Sequence, residues 1–357
     1  MPVSDVFNRS LEFFTDYVRP RAESIDRDPI ALGEALDERG RRELLAMKRP
    51  EAYGGPDLPD PEYRLFQEES ARASGALSFL MTQHQSAVSL LSRSANEDLK
   101  SRLLPKMGSG EVRVGVGFSQ LRRSGPPVLV ANPADGGYFL TGEVPWVTGF
   151  GFFESFVVGA RLPDERVVFA LVPLGDEPGV SEVSPPMDLA VFGATQTVSV
   201  KLTDAWVPDE SVLFVEAADW ARTNDLINIV LQGHFAIGCA RAGLDIVHAE
   251  AKRKALPFLD EANRRLRQEI DHCREAMQRV QASGYAETTE EKHRVRAWAI
   301  ELAVRCAHAA VAASSGKANH MGHPAQRVYR EALVYTVSAQ TTDIMEATLS
   351  RLIRQSI

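Results

Sequence analysis

Several features that would commit a chain to a familiar chemistry are missing here. The 357 residues include only three cysteines, Cys239, Cys273 and Cys306, widely spaced and without a CxxC pair. Reduced thiols in a cytoplasm are therefore expected, not a disulfide framework or a zinc site. No Gly-rich phosphate loop or dinucleotide GxGxxG follows a strand, since Gly149-Phe-Gly151 lacks the remaining glycine and the helix after it. There is no GxSxG elbow, and His320-Met-Gly-His323 has no cysteine or carboxylate at ligand spacing, so no metal is expected. Positive charge is also short. A net charge of −8 argues against a nucleic-acid surface, and Arg41-Arg42 and Arg264-Arg265 are diluted by neighbouring acids. The uncharged stretch from Ala73 to Ser92 carries Ser78, Thr82, Gln83, His84 and Gln85, too polar for lipid, and reads as a buried helix. The first ten residues lack a basic region followed by an apolar run, so no secretory signal is expected.

What is present changes texture twice. From Val3 to about Gly110 apolar residues recur at helical spacing, as at Phe7, Leu11, Phe14 and Val18, and Asp60-Pro61 has a helix-start pattern. From Val112 to about Phe214 β-branched runs are cut by Gly, Pro and Asp. Val128–Ala131, Tyr138–Thr141, Phe156–Gly159, Val167–Pro173 and Thr197–Leu202 read as strands of an antiparallel barrel or sandwich. From Asp219 onward long Ala-rich amphipathic patterns return over Leu226–His248, Glu261–Gln281 and Glu287–Ser314, punctuated at Gly284 and Ser314–Lys317. The expected class is α+β: a helical domain over 1–111, a β domain over 112–215 and a helical bundle over 216–357.

One short segment of the β region stands out. In Thr141-Gly-Glu-Val-Pro-Trp-Val-Thr-Gly149 an indole and a hydroxyl lie two residues apart, at Trp146 and Thr148. On extended backbone, residues i and i+2 share a face. The indole could cover a planar ring while the hydroxyl bonds its edge.

Six segments in order carry a family likeness: Pro50-Glu-Ala-Tyr-Gly-Gly55, Gln67–Ala73, Leu104-Pro-Lys-Met-Gly-Ser-Gly-Glu111, Gly142–Gly149, Gly193–Pro208 and Arg327-Val-Tyr-Arg-Glu-Ala332. Together they resemble the PEEYGG, EELAR, LPKLASGE, GEKMWITN, FEDVRVP and RLYRDA motifs of the acyl-CoA dehydrogenase superfamily, over essentially the whole chain. The resemblance implies a helical domain, a β domain and a four-helix carboxy-terminal domain around FAD. It carries Trp146, Thr148 and Ser119 over as flavin contacts, with Gly316 and Thr341 in the last domain. Arg122, Arg123 and Ala339 carry over as positions that meet the substrate, an acyl thioester on CoA or a carrier protein. The implied activity is oxidation at the α,β carbons, in a homodimer or homotetramer, with an electron-transfer partner or hetero-subunit possible within the family. The Ala-rich faces from Arg296 to Ala313 suit close helix packing, and a homo-oligomer is expected.

The pattern also departs from the family. The usual catalytic Glu aligns with Ala339, and the alternative base position on the first helix of the last domain falls near Asn228. Asp225, three residues earlier on the same helix face, is the candidate replacement; an acid in a helix's first turn, favoured by the dipole, is the competing reading. His234, among Phe235, Ile237 and Cys239, reads first as a core histidine. The RxxFG turn becomes Arg253-Lys-Ala-Leu-Pro-Phe258, the paired Gly becomes Ser315-Gly316 beside Lys317, and the EPGAGSD loop becomes Gln120-Leu-Arg-Arg-Ser-Gly-Pro-Pro127. Three readings stay open: a thioester dehydrogenase with a displaced base, a flavin oxidase or monooxygenase on the same scaffold, and an impaired subunit that supports a catalytic partner.

Overall fold

The computed structural model of the chain describes residues 4–123, 125–177, 180–282 and 289–353. Helices α1 (Asp5–Glu12), α2 (Ala22–Arg27), α3 (Pro29–Arg41), α4 (Asp60–Ala73), α5 (Gly75–Ser92) and α6 (Glu97–Met107) come first. Strands β1 (Val114–Gly117), β2 (Leu129–Ala134), β3 (Gly137–Thr148), β4 (Ser155–Arg161), β5 (Val167–Pro173), β6 (Ser181–Val183), β7 (Thr197–Pro208) and β8 (Val212–Glu216) follow. The chain then returns to helix in α7 (Trp220–Asn228), α8 (Gly233–Lys254), α9 (Pro257–Ala282), α10 (Thr289–Ser314), α11 (Pro324–Val337) and α12 (Thr342–Leu352). The expected punctuation at Gly284, the start at Glu287 and the loop residue Ser124 lie outside the described residues. Short polar side chains start many of these helices by accepting otherwise orphaned N–H groups. Ser4 caps α1, Asp28 caps α3 ahead of Pro29, and Asn96 caps α6. No helix among the described residues is long and apolar enough to cross a membrane.

The backbone forms two compact units. One comprises Met1–Phe13, Arg27–Tyr63 and Phe79–Thr223; the other comprises Phe14–Asp26, Arg64–Ser78 and Asn224–Ile357.

In the first unit all eight strands belong to one sheet, in the order β6-β7-β3-β2-β4-β5-β8 with β1 against β4. Most pairings are antiparallel, but β1 runs parallel to β4, and β2 meets β4 through a parallel Val130–Arg161 pairing. The expectation of a purely antiparallel sheet is corrected there: the hairpin β2–β3 intervenes between β1 and β4, so no tight turn forces opposite directions. β1 was also hidden by its composition, because Val-Gly-Val-Gly reads poorly as a strand. Its glycines are demanded by packing. A Cβ on Gly115 would meet the Phe153 ring at 2.9 Å, and one on Gly117 would meet Val144 at 2.8 Å and Phe156 at 3.0 Å.

Two of the family-like segments meet through one arginine. Arg49, buried, donates to Pro105 O at 2.6 Å, Leu104 O at 3.4 Å and Gly54 O at 2.8 Å. It thereby joins the Pro50–Gly55 turn to the end of α6. Gly54 takes φ 75°, and a Cβ on Gly55 would lie 2.0 Å from Arg49 O, so both glycines are required by this turn.

His84 gives this unit a pH dependence. Its Nε2 lies 3.0 Å from Met107 O and its Nδ1 accepts from Val114 N–H at 3.2 Å, a pattern that suits the neutral ring. Burial lowers its pKa to about 4. The unfolded chain therefore takes up this proton first as pH falls below about 6.5. Stability is full above that pH, falls between about 6.5 and 4, and levels off below. By pH 5 the loss from this residue is about 2 kcal/mol. Denaturant titrations of wild type and His84→Gln at pH 7.5 and pH 5 should differ by that amount in their pH response; equal responses would contradict it.

In the second unit, α8 and α10 approach closely: a Cβ on Gly243 would lie 2.6 Å from Cys306 O. The Ala-rich face of α10 (Ala297, Ala303, Ala307, Ala310) is buried inside this chain, so its close packing is against the chain's own helices. The three cysteines are free and buried. The Arg327–Ala332 segment acts as an anchor. Arg327 bonds Glu331 and Glu23, each at 2.8 Å, Arg330 bonds Asp26 at 2.6 Å, and Glu331 accepts from Gly75 N–H at 2.9 Å.

The helix expected over Leu226–His248 is broken, with α7 ending at Asn228 and α8 starting at Gly233. The cause is local. Gly233 N–H and His234 N–H bond Val230 O and Leu231 O, three residues back, so the normal ladder is interrupted. Ile229 O bonds instead to the Arg296 guanidinium, at 3.1 Å.

Candidate functional site

In the first unit, β3 carries the segment with the indole. Its pairing with β7 shifts between Val144 and Val147, where Pro145 and Trp146 of β3 stand opposite the single residue Ser199 of β7. Pro145 has no N–H to offer the ladder, and bulges are where prolines are tolerated in sheets. The irregularity leaves Trp146 46% exposed, while Thr148 is 6% exposed. The Thr148 hydroxyl lies 2.9 Å from that of Thr197, a contact that the sequence did not reveal because it joins two strands. Ser119 opens a short 3₁₀ turn after β1, and its Oγ is buried without a hydrogen-bond partner among the described residues. Next to it, Gln120 donates to Gly159 O at 2.9 Å and Gly117 O at 3.3 Å.

An exposed indole and an orphaned hydroxyl are what a flat polar ring would complete. A buried unpaired hydroxyl costs free energy until something bonds it. An indole and an unpaired hydroxyl are groups of the kind a flavin can use, so these residues are compatible with one. Arg122, the last residue of that 3₁₀ turn, and Arg123 just after it are exposed. Arg123 borders a small cavity of about 80 Å³ with Gln120, Arg161 and Glu165. Arg161 is committed to Glu165 O at 2.7 Å and Ala218 O at 3.0 Å.

In the second unit, Ala339 occupies the turn between α11 and α12 with φ 48°, the left-handed region that non-glycine residues seldom adopt. Strain of this kind is costly and often marks functional turns. Thr341 caps α12, its hydroxyl accepting from Ile344 N–H at 3.3 Å. Gly316 lies in the 3₁₀ turn after α10, with no atom within 4 Å of a Cβ placed on it. That open side leaves room for a ligand, and Lys254, bonded to Ala313 O and Ser315 Oγ, braces the turn. His323, of the histidine pair, caps α11.

Asp225 is half-buried near the middle of α7, and the first turn of that helix holds no acid. The helix-dipole account of this residue is thereby corrected. Asn228 is turned onto its own helix, donating to Asn224 O at 2.8 Å. Arg296, which no sequence motif marks, reaches both segments. Its Nη1 donates to Ile229 O at 3.1 Å and its Nη2 to Ser338 O at 2.9 Å. One guanidinium therefore holds the end of α7 against the turn that carries Ala339, the two places where a base was sought. His234 serves another purpose, since its Nδ1 lies 2.9 Å from Glu68 Oε1 and both residues are buried.

Comparison with known proteins agrees with this architecture. The family model "Acyl-CoA dehydrogenase, N-terminal domain" matches residues 7–111. Isovaleryl-CoA dehydrogenase of Pongo abelii is 28% identical over 60% of this chain and 55% of its own length. The benzylmalonyl-CoA dehydrogenase of Aromatoleum aromaticum is 29% identical over 68% of this chain and 65% of its own. A crystal structure of an acyl-CoA dehydrogenase complexed with FAD, from Bacillus anthracis, superposes with a TM-score of 0.81 at 20% identity, covering 97% of this chain and 67% of that one. Residues 7–111 match the acyl-CoA dehydrogenase N-terminal domain, and the chain as a whole has the fold of the acyl-CoA dehydrogenase superfamily. The succession of a helical segment, a sheet and a helical bundle is that superfamily's fold. The matched stretch spans between about half and two-thirds of the length of the first curated relatives.

Proposed function

We propose that the protein is an FAD-dependent oxidoreductase that desaturates an acyl thioester at its α,β carbons, with Asp225 as the base. The observation that carries this reading is the Arg296 bridge. Because one guanidinium contacts both Ile229 O and Ser338 O, a carboxylate one turn back on α7 belongs to the same locality as Ala339. A displaced base at Asp225 can then serve a site whose usual base position is an alanine. Asp225 takes the α-proton while the β-hydrogen leaves with its electron pair, so that a C=C bond replaces two C–H bonds. When bound, FAD supplies the two-electron acceptor for that hydride. Trp146, Ser119 and Thr148 of the first unit would contact the flavin, and in the second unit the Gly316 turn and Thr341 would contact FAD. Arg122 and Arg123 hold the phosphate-bearing arm of the thioester.

Ala339 also supports a second reading, a flavin oxidase or monooxygenase on the same fold, because that chemistry requires no α-proton acceptor. Anaerobic mixing with acyl-CoA thioesters separates the two. Bleaching of the flavin supports desaturation; bleaching only by a nicotinamide-linked reductase, followed by oxygen uptake, supports the second. Flavin that appears only after mixing with another polypeptide would favour the partner-subunit role.

A homo-oligomer in the cytoplasm fits the surface and the free buried thiols. Tyr329, Leu333 and Val337 are exposed at four-residue spacing on α11, and Met345, Leu349 and Leu352 are exposed on α12. These apolar stripes are the natural seam between copies. Light scattering at micromolar concentration should report a dimer or tetramer, and Leu333→Glu with Leu349→Glu should shift it to monomer. A wild-type monomer would contradict the seam.

A further inference from the structure

Arg296 is 2% exposed and lies in α10 between Val295 and Ala297. Among the described residues it has no carboxylate within salt-bridge distance, and its Nε has no hydrogen-bond partner. Burial lowers its pKa to about 10, so it stays charged at neutral pH. A buried cation without a counter-charge is expensive, and an apolar residue would pack there at lower cost. Its two backbone contacts therefore need a reason beyond stability. Ile229 O is the carbonyl freed by the break between α7 and α8, and Ser338 O immediately precedes the strained Ala339.

We propose that Arg296 is a positioning residue that locks the end of α7 to the Ala339 turn and so fixes where Asp225 stands relative to the thioester's α-carbon. The assignment rests on the proposed desaturase reading for its catalytic consequence, but not for the lock itself. Neither segment can shift without losing a charge-assisted hydrogen bond, which is stronger than a neutral one. Lysine keeps the charge but cannot bridge two carbonyls in the fixed geometry of a planar fork.

The test uses the FAD-loaded full chain as wild type, Arg296→Lys and Arg296→Met. Hydrogen exchange should rise at least fivefold in both segments 226–232 and 336–342 of Arg296→Met, with α9 unchanged and Arg296→Lys intermediate. Exchange that is unchanged, or that rises evenly through α8, α9 and α10, overturns the lock. With isovaleryl-CoA under anaerobic conditions, the limiting rate of flavin reduction should fall at least tenfold, with half-saturation changing less than threefold. An unchanged limiting rate with weaker binding alone overturns the positioning role. Should Arg296→Met fail to fold, the Arg296→Lys exchange and rate decide by the same criteria. If wild type is not reduced by isovaleryl-CoA, exchange alone judges Arg296, and the desaturase reading is judged by other thioesters.

Discussion

Asp225→Asn is expected to slow anaerobic flavin reduction by an acyl thioester by roughly 10²–10⁴-fold, the usual contribution of a positioned base. That corresponds to about 3–5 kcal/mol of barrier. The α-carbon of a thioester is a weak acid, and an amide cannot accept its proton. Asn preserves the size of the side chain, so flavin content and unfolding midpoint should stay close to wild type. Adding Ala339→Glu to Asp225→Asn restores a carboxylate at the turn that Arg296 ties to α7, and should recover at least tenfold of the lost rate, a figure within the range for base catalysis. Stopped-flow reduction of the three proteins checks both points. An unchanged rate in Asp225→Asn removes that residue from the chemistry.

The second large effect concerns stability. Glu68 is fully buried and accepts hydrogen bonds from Arg274 Nη2 at 2.8 Å and Arg241 Nη1 at 3.4 Å, beside His234 Nδ1 at 2.9 Å. Burial by itself would raise its pKa, but the bonds from His234 and Arg274 outweigh that and hold it below the ordinary carboxylate range. The network continues from Arg241 to Glu69 at 2.6 Å, and from Arg72 to Asp245 at 2.7 Å. Glu68→Ala leaves the arginines facing one another without their shared anion. The cost expected for breaking a buried pair in this way is roughly 3–5 kcal/mol. Denaturant unfolding should show it as a lower midpoint, and a change under about 1 kcal/mol would mean that water or rearranged partners replace the carboxylate.

Much of the fold was legible because it follows from local rules. Strands β2, β3, β4, β5 and β7 fall on the β-branched runs, and α4 begins at Asp60-Pro61, where the helix-start pattern stands. Local rules failed where a distant atom decided the outcome. β1 looked unlike a strand because Phe153 and Phe156 require glycines beside them. The gap between α7 and α8 was invisible because Arg296, far along the chain, takes the Ile229 carbonyl. The only sequence signal for Arg296 was a cation set in an apolar helix, among Val295, Ala297 and Ile300.

The candidate site was legible unevenly for the same reason. Trp146 and Thr148 stand out by spacing on one strand, yet the Thr148–Thr197 contact joins β3 to β7. Ser119 is a candidate through family likeness alone, and its unpaired hydroxyl is a property of the folded chain. His234 looked like a core histidine in sequence; its bond to Glu68 links residues on separate helices.

The most direct measurement is the visible spectrum of the purified protein, after reconstitution with FAD and then during anaerobic addition of straight, branched and aryl acyl-CoA thioesters. The account predicts a yellow protein whose flavin bands bleach with at least one of them. A protein that stays colourless with excess FAD, or a yellow one that no thioester reduces, would contradict it.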